Sequence, residues 1–264
     1  MKKLLGSNYP YVSLKFADFI SSMKENEIEE IEFFGAFPHC YIYDMSFEEA
    51  HKIRRICDEN NIKVKVFTPE QWDNIASLAI DDYRVRARSL CFYEKALKIA
   101  KILGASYLSV IAGVYNLEDD MNEGFEKAKE GLSYLCAKAK ELDMNILLEI
   151  DKETPVNNAE KALKMIEEIE ADNIKILLDD NEVDDFIAAY EMLKRYVDHI
   201  QLSDKNEYPH IVPGKGNLDL ESYLNALGDY DGCLGFELRG YTYQGNPKEA
   251  SKEGLDYLKE RIGR

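Results

Sequence analysis

The sequence predicts a closed (β/α)₈ barrel, a TIM barrel, built as one domain over residues 1–264. Three observations lead there. Short apolar segments alternate with amphipathic helical patterns along the whole chain, which argues for repeated β-α units around a parallel sheet. Eight such segments can be counted, and 264 residues is close to the usual size of one such barrel. No Gly-x-Gly-x-x-Gly follows the first segment, which removes the usual mark of an open dinucleotide-binding sheet.

The strands are expected at roughly 3–7, 29–34, 63–67, 106–112, 145–150, 174–179, 198–203 and 233–238. Helix starts are marked between them. Ser46-Phe47-Glu48-Glu49 reads as a capping box, hydroxyl and carboxylate each serving a free amide. Thr68-Pro69, Thr154-Pro155 and Asn246-Pro247 each place a cap residue before a proline, the pattern of a first helical turn. The run Leu97, Ala100, Lys101 ends at Gly104, a helix stop followed at once by the fourth strand.

Composition narrows the function classes. The hydrophobic fraction of 45% supports a sizeable core. No apolar run approaches the roughly 18 residues of a membrane span, and the start, Met1 to Ser7, is too poor in apolar residues for a secretory signal. Five scattered cysteines without a Cys-x-x-Cys pair imply reduced thiols and a cytoplasmic protein. A net charge of −17 disfavours nucleic acid and anionic membranes as partners.

Strand parity points to a site. Side chains alternate across a strand, and the row that packs on the helices must be apolar. Ile146, Leu148 and Ile150, then Ile176 and Leu178, Ile200 and Leu202, and Leu234, Phe236 and Leu238 form such rows. Glu149, Asp179, Gln201 and Glu237 are left facing inward, each near the C-terminal end of its strand, where barrel enzymes keep their catalytic groups. Three carboxylates converging in an apolar barrel repel one another unless a cation lies between them. Oxygen-rich ligands suit a hard divalent ion, Mn²⁺ or Mg²⁺. The alternative is that each carboxylate caps a loop or pairs with a nearby base.

The segments Asn145–Glu149 (NILLE), Ile176–Asp179 (ILLD), His199–Asp204 (HIQLSD), Pro213–Asp219 (PGKGNLD) and Gly235–Arg239 (GFELR) resemble the xylose isomerase-like sugar isomerases and epimerases. So does Ala96–Gly113. Together these cover nearly the whole chain. The resemblance implies a metal held at Glu149, Asp179, Gln201 and Glu237, with Gln201 standing where the ketose 3-epimerases usually carry histidine. A glutamine oxygen still ligates a hard cation, but more weakly than imidazole. Glu182 falls where many members place a substrate-contacting histidine. His199 shares the inward face but lies roughly 6–7 Å deeper along the strand, which makes it a core histidine rather than a ligand.

The implied chemistry is proton transfer next to a carbonyl, with Glu149 and Glu237 as the catalytic pair and an enediolate between. His210 either contacts substrate or sits in solvent. Lys215 is a candidate for a substrate phosphate, Arg239 for an anionic or hydroxyl contact, and Glu32 for sugar hydroxyls. Phe34, Phe37 and Trp72 could form an apolar wall. The partner is a small sugar, sugar phosphate or polyol, and the resemblance also suggests a homodimer. Two other readings stand. One is a dehydratase (a lyase) of a cyclic polyol or dehydroshikimate-like acid; the other is a non-catalytic sugar-binding relative that has lost the metal histidine. Abasic-site endonucleases on this barrel use several metals and many histidines, and this chain has only four histidines.

Overall fold

The structure is a computed structural model that describes residues 3–72, 76–114, 120–243 and 245–262. Met1 and Lys2, part of the charged start, lie outside them. Eight parallel strands close in chain order, each pairing with the next and the last with the first. They are β1 (Lys3–Ser7), β2 (Glu30–Gly35), β3 (Lys63–Pro69), β4 (Tyr107–Ile111), β5 (Asn145–Glu149), β6 (Ile174–Asp179), β7 (Val197–Gln201) and β8 (Cys233–Gly235). The helices are α1 (Phe16–Glu25), α2 (Phe47–Glu59), α3 (Tyr83–Leu103), α4 (Met121–Glu141), α5 (Ala159–Ile169), α6 (Phe186–Leu193), α7 (Leu220–Ala226), the short α8 (Gly240–Tyr243) and α9 (Pro247–Ile262). Among the described residues no helix is long and apolar enough to cross a membrane.

The apolar rows do what parity requires. Ile146, Leu148, Ile176, Leu178, Ile200, Leu234 and Phe236 belong to the large cluster between strands and helices. Leu5, Val66, Leu147, Leu177 and Cys233 form a separate plug inside the barrel, with Tyr107 against it. One step along the strands from that plug, the inward positions turn polar. The site therefore rests on a packed floor.

Local chemistry sets the helix starts. Ser46 and Glu49 form the expected capping box, the Glu49 amide donating to Ser46 Oγ and the Ser46 amide to Glu49 Oε2. Asp82, Asp120, Asn158, Asp185 and Asp219 cap α3 to α7 in the same way, each accepting a first-turn amide. Gly104 ends α3 at φ +82°, as its position at the helix stop implies. Pro247 opens α9 as expected.

Two expected helix starts are corrected. Thr68-Pro69 ends β3, where Pro69 pairs beside Gly35 at a strand terminus and Thr68 turns its hydroxyl inward to Glu32. Helix α3 begins only at Tyr83. Thr154 closes a loop, donating to the Asp151 carbonyl and accepting from the Val156 amide, while Asn158 is the cap of α5. In both cases a threonine hydroxyl found a nearer partner than a helix amide.

Candidate active site

An open cleft of 1460 Å³, counted with its solvent-facing mouth, lies at the C-terminal end of the barrel. Glu149, Asp151, Glu182, His210, Glu237 and Arg239 line it, with Tyr9, Phe34 and Trp72 along one wall. A narrower inner pocket of 420 Å³ reaches down to Glu32, Thr68 and Gln201. Strand ends deliver these groups: Glu149 is the last residue of β5, Asp179 of β6 and Gln201 of β7, and Glu237 follows β8 by two residues.

The carboxylates are crowded, with Glu149 and Asp179 buried and Glu237 half-buried. Asp179 is 1% exposed and Glu149 9%. Burial pushes the Glu149 carboxyl well above the usual range, and Glu237, Asp151 and Asp179 add to it. Burial likewise lifts Glu237 to about 7, Asp151 to about 7 and Asp179 to about 6. His210 is raised as well, against the effect of burial. Burial alone would lower its imidazole, but Asp179, Glu237 and Glu182 outweigh that and raise it to about 9.

Few partners soften the crowding. Ser109 Oγ donates to Glu149 Oε2 at 3.0 Å, and the Asn181 amide to Asp179 Oδ1 at 2.7 Å. Asp179 Oδ2, Gln201 Oε1 and His210 Nδ1 are buried with no hydrogen-bond partner at all. Buried polar atoms left in this state are costly, so they mark a place built for something else. Asp179, His210 and Glu237 each offer one ligand atom, and these lie within 4.8 Å of one another, a spacing that could hold a metal ion.

Glu32 lines the inner pocket, as its inward position on β2 implies, but its oxygens already have partners. Its Oε1 accepts from Thr68 at 2.6 Å, and its Oε2 accepts from Gln201 Nε2 at 3.0 Å and from His199 Nε2 at 2.9 Å. Burial alone would raise this carboxyl, but the His199 charge and the three donors hold it below its ordinary value. Glu32 therefore works chiefly inside the protein, fixing Gln201. His199 is fully buried and bonded at both ring nitrogens, the second to the Cys233 carbonyl at 3.3 Å, in keeping with a core histidine.

The remaining candidates separate cleanly. His210 is 4% exposed, inside the site rather than in solvent. Glu182 stands beside it, with 3.7 Å between Oε1 and His210 Nε2. Lys215 is not brought to the cleft: its ammonium lies 3.3 Å from Glu253, more than half exposed, because the Pro213–Gly216 turn faces α9. Phe37 is 77% exposed and forms no part of the wall.

Sequence reasoning missed Ser109 and Thr68. Both could have been found by extending parity along β3 and β4, where Thr68 and Ser109 follow the plug residues Val66 and Tyr107 by two on the same face. Asp151 and Asn181, on loops past the strand ends, carry no periodic signal. Asp204, which matches the family's pattern, accepts the amides of Lys205, Gly214, Gly216 and Leu218 at 2.8–3.0 Å and so knots the loop after β7.

These features define a barrel enzyme scaffold with an acidic, metal-suited mouth. The chain belongs to the xylose isomerase-like TIM barrel family, whose model matches residues 21–261. It is 23% identical over 239 residues to fructoselysine 3-epimerase of Escherichia coli O157:H7, covering 86% of each chain. It is 29% identical over 193 residues, 67% of this chain and 70% of the other, to a Caenorhabditis elegans protein provisionally named hydroxypyruvate isomerase. Among solved structures, the zinc-bound IolI protein superposes with a TM-score of 0.83 at 17% identity, covering 99% of this chain and 98% of that one.

Proposed function

We propose that this protein is a divalent-metal-dependent isomerase or epimerase acting on a small sugar or sugar derivative. The observation that carries the reading is the meeting of Asp179, His210 and Glu237 within 4.8 Å, with Glu149 beside them and the buried Asp179 Oδ2, Gln201 Oε1 and His210 Nδ1 lacking any hydrogen-bond partner. The names of the relatives, a ketose-derivative epimerase and a hydroxypyruvate isomerase, support the same chemistry. So does the zinc of IolI.

Glu149, Asp179, Gln201 and Glu237 would hold the ion. When bound, a divalent cation there would withdraw electrons from a carbonyl and its neighbouring hydroxyl, making the adjacent C–H acidic. The proton is handled by this chain's own residues. Glu149, steadied by Ser109, and Glu237, from a different side of the closed sheet, are the pair that takes a proton from one face of the substrate and returns it to another. Tyr9, Phe34 and Trp72 would wall the cleft against water, and Arg239, which also lines it, would meet a hydroxyl or anionic group. The displacement of Lys215 removes one phosphate contact and favours an unphosphorylated sugar. Five unpaired cysteines fit a reducing compartment, the cytoplasm, and the whole chain acts as one domain.

The test follows solvent deuterium. Protein purified without chelator is assayed for bound metal and incubated in D₂O with ketoses and their phosphates. Carbon-bound deuterium that appears with the epimer or isomer, and is lost in Glu149→Gln and Glu237→Gln, supports the proposal. Loss of water from the substrate would point to a dehydratase, and no metal together with no exchange would leave a sugar-binding protein.

A further inference from the structure

We propose that His210, on the loop after β7, supplies the nitrogen ligand of the metal site beside Asp179 and Glu237, and that Glu182 is the carboxylate that orients it. The inference rests on the metal reading above and assigns its donor atoms.

His210 Nδ1 and Asp179 Oδ2 face each other at 3.9 Å. Both are buried and neither has a hydrogen-bond partner. The gap is too long for a hydrogen bond between them. An ion about 2.1 Å from each ligand atom reaches both only when they stand within roughly 4.2 Å, and this pair meets that limit. Glu237 completes the trio within 4.8 Å.

No other group offers that nitrogen. Gln201 commits its amide nitrogen to Glu32, so only its partnerless Oε1 is left to face the site. His199 is bonded at both ring nitrogens. His39 is engaged by Asn8 and by the Leu14 carbonyl, and His51 is exposed on α2 in the outer layer. His210 alone has a free, buried ring nitrogen aimed at a carboxylate.

Its surroundings hold it there. The backbone of His210 sits at φ +54°, a conformation non-glycine residues adopt at a cost and keep only where neighbours enforce it. Its carbonyl accepts from the Arg239 amide, and the antiparallel bridge of Asp204 and Ile211 pins the loop on either side. The other ring nitrogen faces Glu182 Oε1 across 3.7 Å, an ion-pair distance beyond a direct hydrogen bond. Ligating histidines usually have a carboxylate or carbonyl in that place, which fixes the tautomer and strengthens the ligand. An imidazole in the set shifts preference away from Mg²⁺ toward Mn²⁺, Co²⁺ or Zn²⁺.

The experiment is pulsed EPR on the full chain, stripped with chelator and reloaded with Mn²⁺, alongside Mn²⁺ affinities of wild type, His210→Ala and Glu182→Gln. Nitrogen hyperfine coupling to Mn²⁺ is expected in wild type and absent in His210→Ala. Affinity should fall about 10–100-fold in Glu182→Gln, the usual effect of losing an orienting partner, and further in His210→Ala. Bound Mn²⁺ without nitrogen coupling in wild type, a result that needs no variant to fold, overturns the assignment and returns His210 to substrate contact. So does affinity unchanged within a few-fold in His210→Ala. If wild type binds no divalent ion at all, the metal reading itself fails, a different result from a metal without nitrogen.

Discussion

Replacing Asp204 by asparagine tests whether the loop that carries His210 is held by one carboxylate. Asp204 is 1% exposed. Its Oδ1 accepts the Lys205 and Leu218 amides at 2.8 and 3.0 Å, and its Oδ2 the Gly214 and Gly216 amides at 3.0 and 2.8 Å. Asparagine converts one oxygen to a donor, so two backbone N–H groups would face an NH₂. Hydrogen bonds to a charged acceptor contribute roughly 1.5–3 kcal/mol each, so losing two costs about 3–6 kcal/mol before the loop relaxes. For a chain of this size, about 3 kcal/mol lowers Tm by roughly 6–12 °C. The same substitution at Asp219, the exposed cap of α7, should leave Tm unchanged, because asparagine caps as well as aspartate. Calorimetry on both variants decides the matter. A fall of less than about 2 °C for Asp204→Asn would refute the reasoning, since it would mean the amides find other acceptors.

Three further outcomes are expected. Glu149→Gln and Glu237→Gln should each slow solvent deuterium exchange by about 10²–10⁴, the usual worth of a positioned acid or base; exchange within tenfold of wild type would remove that residue from the proton path. Gly216→Ala should destabilise by about 1–3 kcal/mol, because a Cβ would stand 2.3 Å from Asp204 Oδ1 and 2.4 Å from the Lys205 carbonyl, and an unchanged denaturation midpoint would show the knot to be loose. A thiol reagent should label Cys91 alone quickly: it is the exposed cysteine, while burial pushes Cys40, Cys57 and Cys136 up to about 12 and Cys233 to about 11. Two or more fast thiols would contradict the packing.

The barrel was legible because its signal is periodic. Eight apolar segments and the alternation within β5 to β8 place Glu149, Asp179, Gln201 and Glu237 inward without reference to any contact. What alternation cannot reach is anything decided by a loop. His210, Glu182 and Asn181 lie past strand ends, where no period relates position to direction, and Lys215 was turned away by a bend that only the Pro213–Gly216 geometry dictates. Thr68 and Thr154 misled for a related reason. A threonine before proline has the local chemistry of a cap, and only the partners around it decide whether a helix amide receives that hydroxyl.

Glu32 shows how the inner and outer parts of the site depend on each other. A buried carboxylate next to three others would ordinarily worsen their repulsion. Here the His199 ring and the Thr68 hydroxyl compensate it from below and beside, so its remaining capacity is spent on the Gln201 amide nitrogen. That contact fixes which end of the amide faces the cleft. With the nitrogen held, Gln201 presents oxygen, and the floor of the site becomes a fixed acceptor that cannot donate. A site so arranged has an excess of acceptors over donors among Glu149, Asp179, Gln201 and Glu237. Only a cation, or protons on the carboxylates, can balance that excess, which is why the geometry of the uncharged Gln201 bears as directly on metal binding as that of its charged neighbours.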